Sequence, residues 1–127
     1  MRILHTCLNV ADLDRSIKFY AQSIGLRFVS RREVKQNNAE IAFLEDEAGG
    51  AIELTRWRDK KTLIEGDNFD HIAFAVGDIR AAVDELKAKG VAIAMEPFSL
   101  SGSSSKIAFI KDPDGNWLEL IERPSVS

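Results

Sequence analysis

A displacement of 66 residues lays the second half of this 127-residue chain over the first. His5 then falls on His71, Val10 on Val76 and Asp12 on Asp78. Ile41-Ala42-Phe43 falls on Ile107-Ala108-Phe109, Asp46 on Asp112, Gly49 on Gly115, and Glu53-Leu54 on Glu119-Leu120. These ten identities in 61 compared positions are interleaved with conservative pairs such as Leu13/Ile79 and Ile52/Leu118. Self-similarity at a fixed period means one supersecondary unit built twice, with each copy too small to bury its apolar face alone. The chain therefore reads as a first module over residues 1–57, a polar linker over 58–68 and a second module over 69–127, together one domain.

Both copies carry the same pattern, β-α-β-β-β, an α+β fold. Residues 2–10 and 69–76 alternate and are rich in apolar types, which predicts strands. Asp12 and Asp78 follow as helix N-caps, since a short carboxylate can accept from an unpaired amide of the first turn. Leu13, Ile17, Tyr20 and Ile24 make one helical stripe, and Ile79, Val83 and Leu86 the other. Gly25 and Gly90 supply the stops. Three strands complete each copy, over 26–34, 39–46 and 50–57, then 91–96, 106–111 and 116–122. Turn-forming stretches separate them: Gln36 to Asn38, Asp46 to Gly50, Ser99 to Ser105 and Asp112 to Asn116.

Strand alternation sorts the polar residues. Leu4, Thr6, Leu8 and Val10 share one face, and His5, Cys7 and Asn9 the other. Ile72, Phe74 and Val76 form the face a helix can cover, so His71 looks away from it. Glu53, with Thr55 and Trp57, lies opposite Ile52 and Leu54, while Glu119 lies opposite Leu118 and Leu120. If the sheets curl, His5, Glu53, His71 and Glu119 line the concave side. Two imidazoles and two carboxylates suit a divalent first-row metal with room for water. A strand histidine by itself is more often a structural residue, and a half-buried glutamate is more often salt-bridged. Here the only two histidines of the chain occupy equivalent positions of a repeat, and both equivalent glutamates are present.

Composition narrows the remaining classes. Seventeen basic against twenty acidic residues give a charge of −3 without a single-sign block, which argues against nucleic acid or an anionic membrane as partner. One cysteine leaves no internal disulfide and no zinc ribbon. Without a signal peptide or a bilayer-spanning stretch, the sequence reads as cytoplasmic.

The segments LHTCLNVADLDRSIKFY (4–20), AIELT (51–55), DHIAFAV (70–76) and IAFIKDPDGNWLELIE (107–122) resemble the short bacterial type of glyoxalase I, or lactoylglutathione lyase, of the vicinal oxygen chelate superfamily. The resemblance covers about residues 2–123. It implies tandem βαβββ modules whose curved mixed sheets enclose a metal site. Its implied ligands are His5, Glu53, His71 and Glu119, with Glu119 as working base and Glu53 as the opposite catalytic carboxylate. It further implies a homodimer with two interface sites, each taking His5 and Glu53 from one chain and His71 and Glu119 from the other. The implied metal is Ni²⁺, with Co²⁺ or Zn²⁺ as alternatives. The implied reaction is methylglyoxal detoxification: the hemithioacetal formed with glutathione or another thiol isomerises through an enediolate to a 2-hydroxyacyl thioester.

Glutathione-using relatives usually carry arginine four residues after the first ligand, where this chain has Asn9. An asparagine grip after the second ligand is replaced by Thr55-Arg56-Trp57, and a loop lysine by Ser101. Arg56, Arg58 and Lys106 are candidates for restoring the lost positive charge, whereas Arg31-Arg32 and Lys60-Lys61 read as solvated charge. Cys7 shares the face of His5 and can line the substrate pocket, though a small buried filler is the commoner role. Asn9, Arg56 and Trp57 complete the substrate candidates, with Trp57 and Trp117 open to a packing role as well. Asp112-Pro113-Asp114-Gly115-Asn116 reads as a tight turn rather than a calcium loop. Other functions of the superfamily stay open: epimerase, ring-cleaving dioxygenase, thiol transferase or a non-catalytic binding module. Glu53 counts against the first three and the complete ligand set against the last.

Overall fold

The computed structural model describes residues 1–59, 62–64, 66, 69–99 and 104–123. It divides the chain into two compact units, Met1–Glu65 and Gly66–Ser127. Ser101, Lys60 and Lys61 lie outside the described residues.

The first unit runs β1 (Thr6–Asn9), α1 (Leu13–Lys18), a wider π-turn over Phe19–Ile24, β2 (Arg27–Val34), β3 (Ala39–Glu45) and β4 (Ala51–Trp57). Its sheet has the order β1-β4-β3-β2, with β1 parallel to β4 and the remaining pairs antiparallel. The second unit repeats the plan with β5 (His71–Val76), α2 (Ile79–Ala88), β6 (Ile93–Ser99), β7 (Lys106–Lys111) and β8 (Trp117–Glu122), in the order β5-β8-β7-β6. Both four-stranded sheets are open and mixed, so the expected α+β class and its tandem βαβββ arrangement are observed.

The local rules act as expected at the helix ends. Asp12 accepts from Arg15 N and Asp78 from Ala81 N, each at 3.0 Å. Gly25 and Gly90 hold φ of 92° and 81°, where a side chain would be strained. Several strand boundaries move: β5 begins at His71 and β6 at Ile93, each two residues later than expected. β1 begins at Thr6 rather than at residue 2, because its ladder with β4 runs only from Thr6↔Ile52 to Asn9↔Thr55. A bulge between Phe28 and Ser30 interrupts β2, and β6 continues to Ser99, which the sequence reads as the start of a loop.

Each core lies between the helix and one sheet face. In the first unit Leu8, Val10, Leu13, Tyr20, Ala42, Leu44, Ile52 and Leu54 are buried. In the second, Ile79, Val83 and Leu86 of α2 face buried Ala108, Ile110, Leu118 and Leu120. Ile17 and Ile24 of the expected first stripe are only half-buried, while Ser16 is fully enclosed. The π-turn rotates the stripe after Lys18, so the 3.6-residue period no longer selects the buried side.

Candidate functional site

The open face of each sheet carries one histidine–glutamate pair. In the first unit His5 immediately precedes β1, and Glu53 sits in the middle of β4 opposite buried Ile52 and Leu54. His5 Nε2 lies 3.0 Å from Glu53 Oε2, and the imidazole meets the edge of Phe43 with ring centroids 5.2 Å apart. In the second unit His71 opens β5, with Nε2 3.3 Å from Glu119 Oε1 and an edge contact to Phe109 at 5.4 Å. Phe43 and Phe109 are themselves 66 residues apart, so the repeat reproduces the aromatic wall as well as the donors. That wall escaped the sequence reading, although its identity across the repeat was the signal.

Glu53 and Glu119 are each strand residues flanked by buried leucine or isoleucine, which pins the backbone and leaves the carboxylate on the exposed side. The two histidines are held differently. His71 Nδ1 donates to Asp70 Oδ1 at 2.7 Å. That bond, reinforced by Glu119 and opposed by partial burial, raises the imidazole above its ordinary value. It also fixes the tautomer that leaves the Nε2 lone pair facing Glu119. The residue before His5 is Leu4, so the first unit lacks this device at the matching position.

The donor pairs fit a divalent ion. Two donors at right angles on an ion with bonds of about 2.1 Å stand about 3.0 Å apart, close to both observed separations. Neutral imidazole with carboxylate is the mixture first-row metals accept. Among the described residues no group of three or more His, Cys, Asp or Glu side chains is placed to hold an ion.

The substrate candidates separate. Cys7 is exposed rather than a buried filler; its Sγ lies 3.3 Å from Thr55 Oγ1, and burial of the sulfur side pushes the thiol up. Thr55, itself buried, donates to Glu53 Oε1 at 3.5 Å. Trp57 Nε1 donates to Asn9 Oδ1 at 2.9 Å, which joins those two candidates on the His5 side. Arg56 is on the opposite face, 3.5 Å from Glu40, and Arg58 is held by Glu33 and Glu40. Lys106 lines a cavity of 460 Å³ with Asp78, Ile79, Arg80 and Glu122 at the start of α2, again on the helix side of its sheet. Strand alternation from Glu53 already excludes Arg56 from the ligand face.

The family model described as the glyoxalase/bleomycin resistance protein/dioxygenase superfamily matches residues 2–120. The chain belongs to that superfamily. Superfamily members similar to it include a probable lactoylglutathione lyase of Vibrio parahaemolyticus, 41% identical over 99% of this chain and 94% of the relative. A lactoylglutathione lyase of Haemophilus influenzae is 41% identical over 98% of this chain and 95% of its own length. Glyoxalase I of Zea mays superposes with a TM-score of 0.90 at 36% identity, covering 98% of this chain. This chain spans only 46% of the maize protein. The trypanothione-dependent glyoxalase I of Leishmania major superposes with a TM-score of 0.81 at 33% identity, over 96% of this chain and 86% of that one. No helix among the described residues is long and apolar enough to cross a membrane.

Proposed function

We propose that this chain is a divalent-metal-dependent isomerase of the lactoylglutathione lyase (glyoxalase I) type, converting the hemithioacetal of methylglyoxal and a thiol into a 2-hydroxyacyl thioester. The carrying observation is the recurrence of one His–Glu pair at matched positions of both units, 3.0 and 3.3 Å apart on exposed strand faces. Each site takes His5 and Glu53 from one protomer and His71 and Glu119 from its partner, giving a homodimer with two sites. Two imidazole nitrogens and two carboxylate oxygens would hold a divalent first-row ion, with Ni²⁺ the first choice ahead of Co²⁺ and Zn²⁺. When bound, the ion supplies Lewis-acid stabilisation of the charge that develops on the two substrate oxygens.

The remaining work falls to side chains of the chain itself. Glu119 removes the proton from the carbon bearing sulfur and hydroxyl, and returns it to the former ketone carbon. The hydroxyl proton passes from the first oxygen to the former ketone oxygen, so the sulfur-bearing carbon becomes the thioester carbonyl and the neighbouring carbon the new alcohol, with no net gain or loss of protons or electrons. Phe43 and Phe109 exclude water from one side of the imidazoles, so the carboxylates work against a weaker dielectric. Cys7, Asn9 and Trp57 share the His5 face and meet the substrate there. A free thiol co-substrate suits a reducing compartment, so we assign the protein to the cytoplasm.

The test is thioester formation from methylglyoxal with glutathione and with other small thiols, in the presence of Ni²⁺, Co²⁺ or Zn²⁺. Turnover that requires metal is expected. Its absence with every combination refutes the assignment.

A further inference from the structure

The ligand face of the first unit holds two arginines, and only one of them is neutralised. The ladders place Asn9, Thr55, Ile41 and Arg32 in one row across β1, β4, β3 and β2. The adjoining row contains Cys7, Glu53, Phe43 and Ser30. Because Phe43 packs against His5, both rows belong to the face that carries the His–Glu pair. Arg27 shares this face beyond the bulge and is paired with Glu45 at 2.7 Å. The adjacent Arg31 turns the other way, to Asp14 and Glu40. Arg56 and Arg58 are likewise committed to Glu40 and Glu33. Arg32 is exposed and has no ion pair among the described residues.

We propose that Arg32 recognises an anionic substituent, a carboxylate, on the thiol half of the substrate; the assignment rests on the isomerase reading given above. Its row offers it no counter-charge: Ile41 and Thr55 are 6% and 4% exposed, and Asn9 is neutral. The residue sits two inter-strand spacings, about 10 Å, from Thr55 and one row from Glu53. That distance suits the tail of a thiol conjugate, not its reacting carbons. A planar guanidinium meets a carboxylate through two parallel hydrogen bonds, which makes it selective for that group. Arg32 thereby replaces the charge that Asn9 does not supply, from a different strand than β1.

The experiment uses the metal-loaded protein and two hemithioacetals of methylglyoxal, one with glutathione, which carries two carboxylates, and one with N-acetylcysteamine, which carries none. Arg32→Gln is expected to raise KM for the glutathione adduct about tenfold or more, with kcat within about twofold and KM for the uncharged adduct unchanged. Arg32→Lys should recover part of the loss. Arg27→Gln removes a charge of the same sign from the same strand and should alter neither KM. Calorimetric binding of S-hexylglutathione, which cannot react, should weaken by the same factor in Arg32→Gln and lose part of its salt dependence. Equal effects on both thiols, no effect on either, or a wild type that fails to bind S-hexylglutathione overturns the assignment. Arg32-dependent binding of S-hexylglutathione without turnover of either adduct upholds it and instead refutes the isomerase reading.

Discussion

The turn between β7 and β8 delivers Glu119 to its strand, and one side chain holds that turn. Asp112 is 5% exposed; its Oδ1 accepts from Asp114 N at 3.0 Å and Asn116 N at 2.8 Å, and its Oδ2 from Asn116 Nδ2 at 2.9 Å. The repeat provides an internal control, because Asp46 makes the matching turn but is exposed and accepts only from Ala48 N and Gly50 N, both at 2.8 Å. Hydrogen bonds to a charged group contribute about 1.5–3 kcal/mol each when water cannot replace them. Asp114 and Asn116 are only half-buried, so water recovers part of the loss at their amides. We therefore expect Asp112→Ala to cost about 2–4 kcal/mol, and Asp46→Ala about 1 kcal/mol because its turn is already wet. Urea unfolding followed by tryptophan fluorescence measures both, with Trp117 reporting directly beside the Asp112 turn. The midpoint should fall further in Asp112→Ala, and metal affinity should fall with it as Glu119 loses its anchor. Equal losses in the two variants, or a loss under about 0.5 kcal/mol in Asp112→Ala, would refute the reasoning.

Three further outcomes follow from the same geometry. Mixing His5→Ala chains with His71→Ala chains should restore about a quarter of wild-type activity, since half the dimers are mixed and each has one intact site; no recovery contradicts sites built across protomers. Metal requires neutral imidazole, and Asp70 raises His71 above the usual ~6.5, so metal binding should weaken as pH falls through that raised value. Asp70→Asn should move this loss to lower pH while reducing affinity at high pH by about tenfold or more, as read by metal-titration calorimetry. Asp78→Ala removes the cap on Ala81 N and should destabilise by about 1 kcal/mol in thermal unfolding, with kcat/KM at low temperature unchanged.

What the sequence made legible was whatever local rules or the repeat govern. Caps at Asp12 and Asp78, stops at Gly25 and Gly90, and the face of Glu53 and Glu119 all follow from spacing and residue type. The length of β1 did not, because an edge strand ends where its neighbour stops pairing, and that is a property of β4. The π-turn at Phe19–Ile24 turned Ile24 out of the core for a related reason: one extra residue per turn is invisible to a fixed period. The substrate side was read less well. Arg56 is a candidate for its charge although alternation places it beside Glu40, and Arg31 reads as solvated although it is paired with Asp14 and Glu40, because charge alone does not tell a paired arginine from an unpaired one. Ion pairing is a tertiary fact, fixed by which strands adjoin.

Duplication gives two donor pairs, but the surroundings of the pairs have diverged, and the divergence bears on which glutamate moves a proton. Glu53 Oε1 has the Thr55 hydroxyl at 3.5 Å, backed by Cys7 Sγ at 3.3 Å. The positions matching Thr55 and Cys7 in the second unit are Ile121 and Ala73, which offer no hydroxyl or thiol. A carboxylate with a hydrogen-bond partner stays in place, whereas one among apolar neighbours can leave an ion and become a base. Under the proposed function Glu119 meets that condition, and Glu53 does not. Glu119→Gln is therefore expected to lower kcat by about 10²–10⁴-fold with metal still bound, whereas Glu53→Gln should weaken metal binding the more strongly of the two. Both quantities are measured on one preparation, by single-turnover kinetics and by competition with a chelator. Should Glu53→Gln abolish turnover while keeping its metal, and Glu119→Gln lose the metal, the assignment of the two carboxylates is reversed.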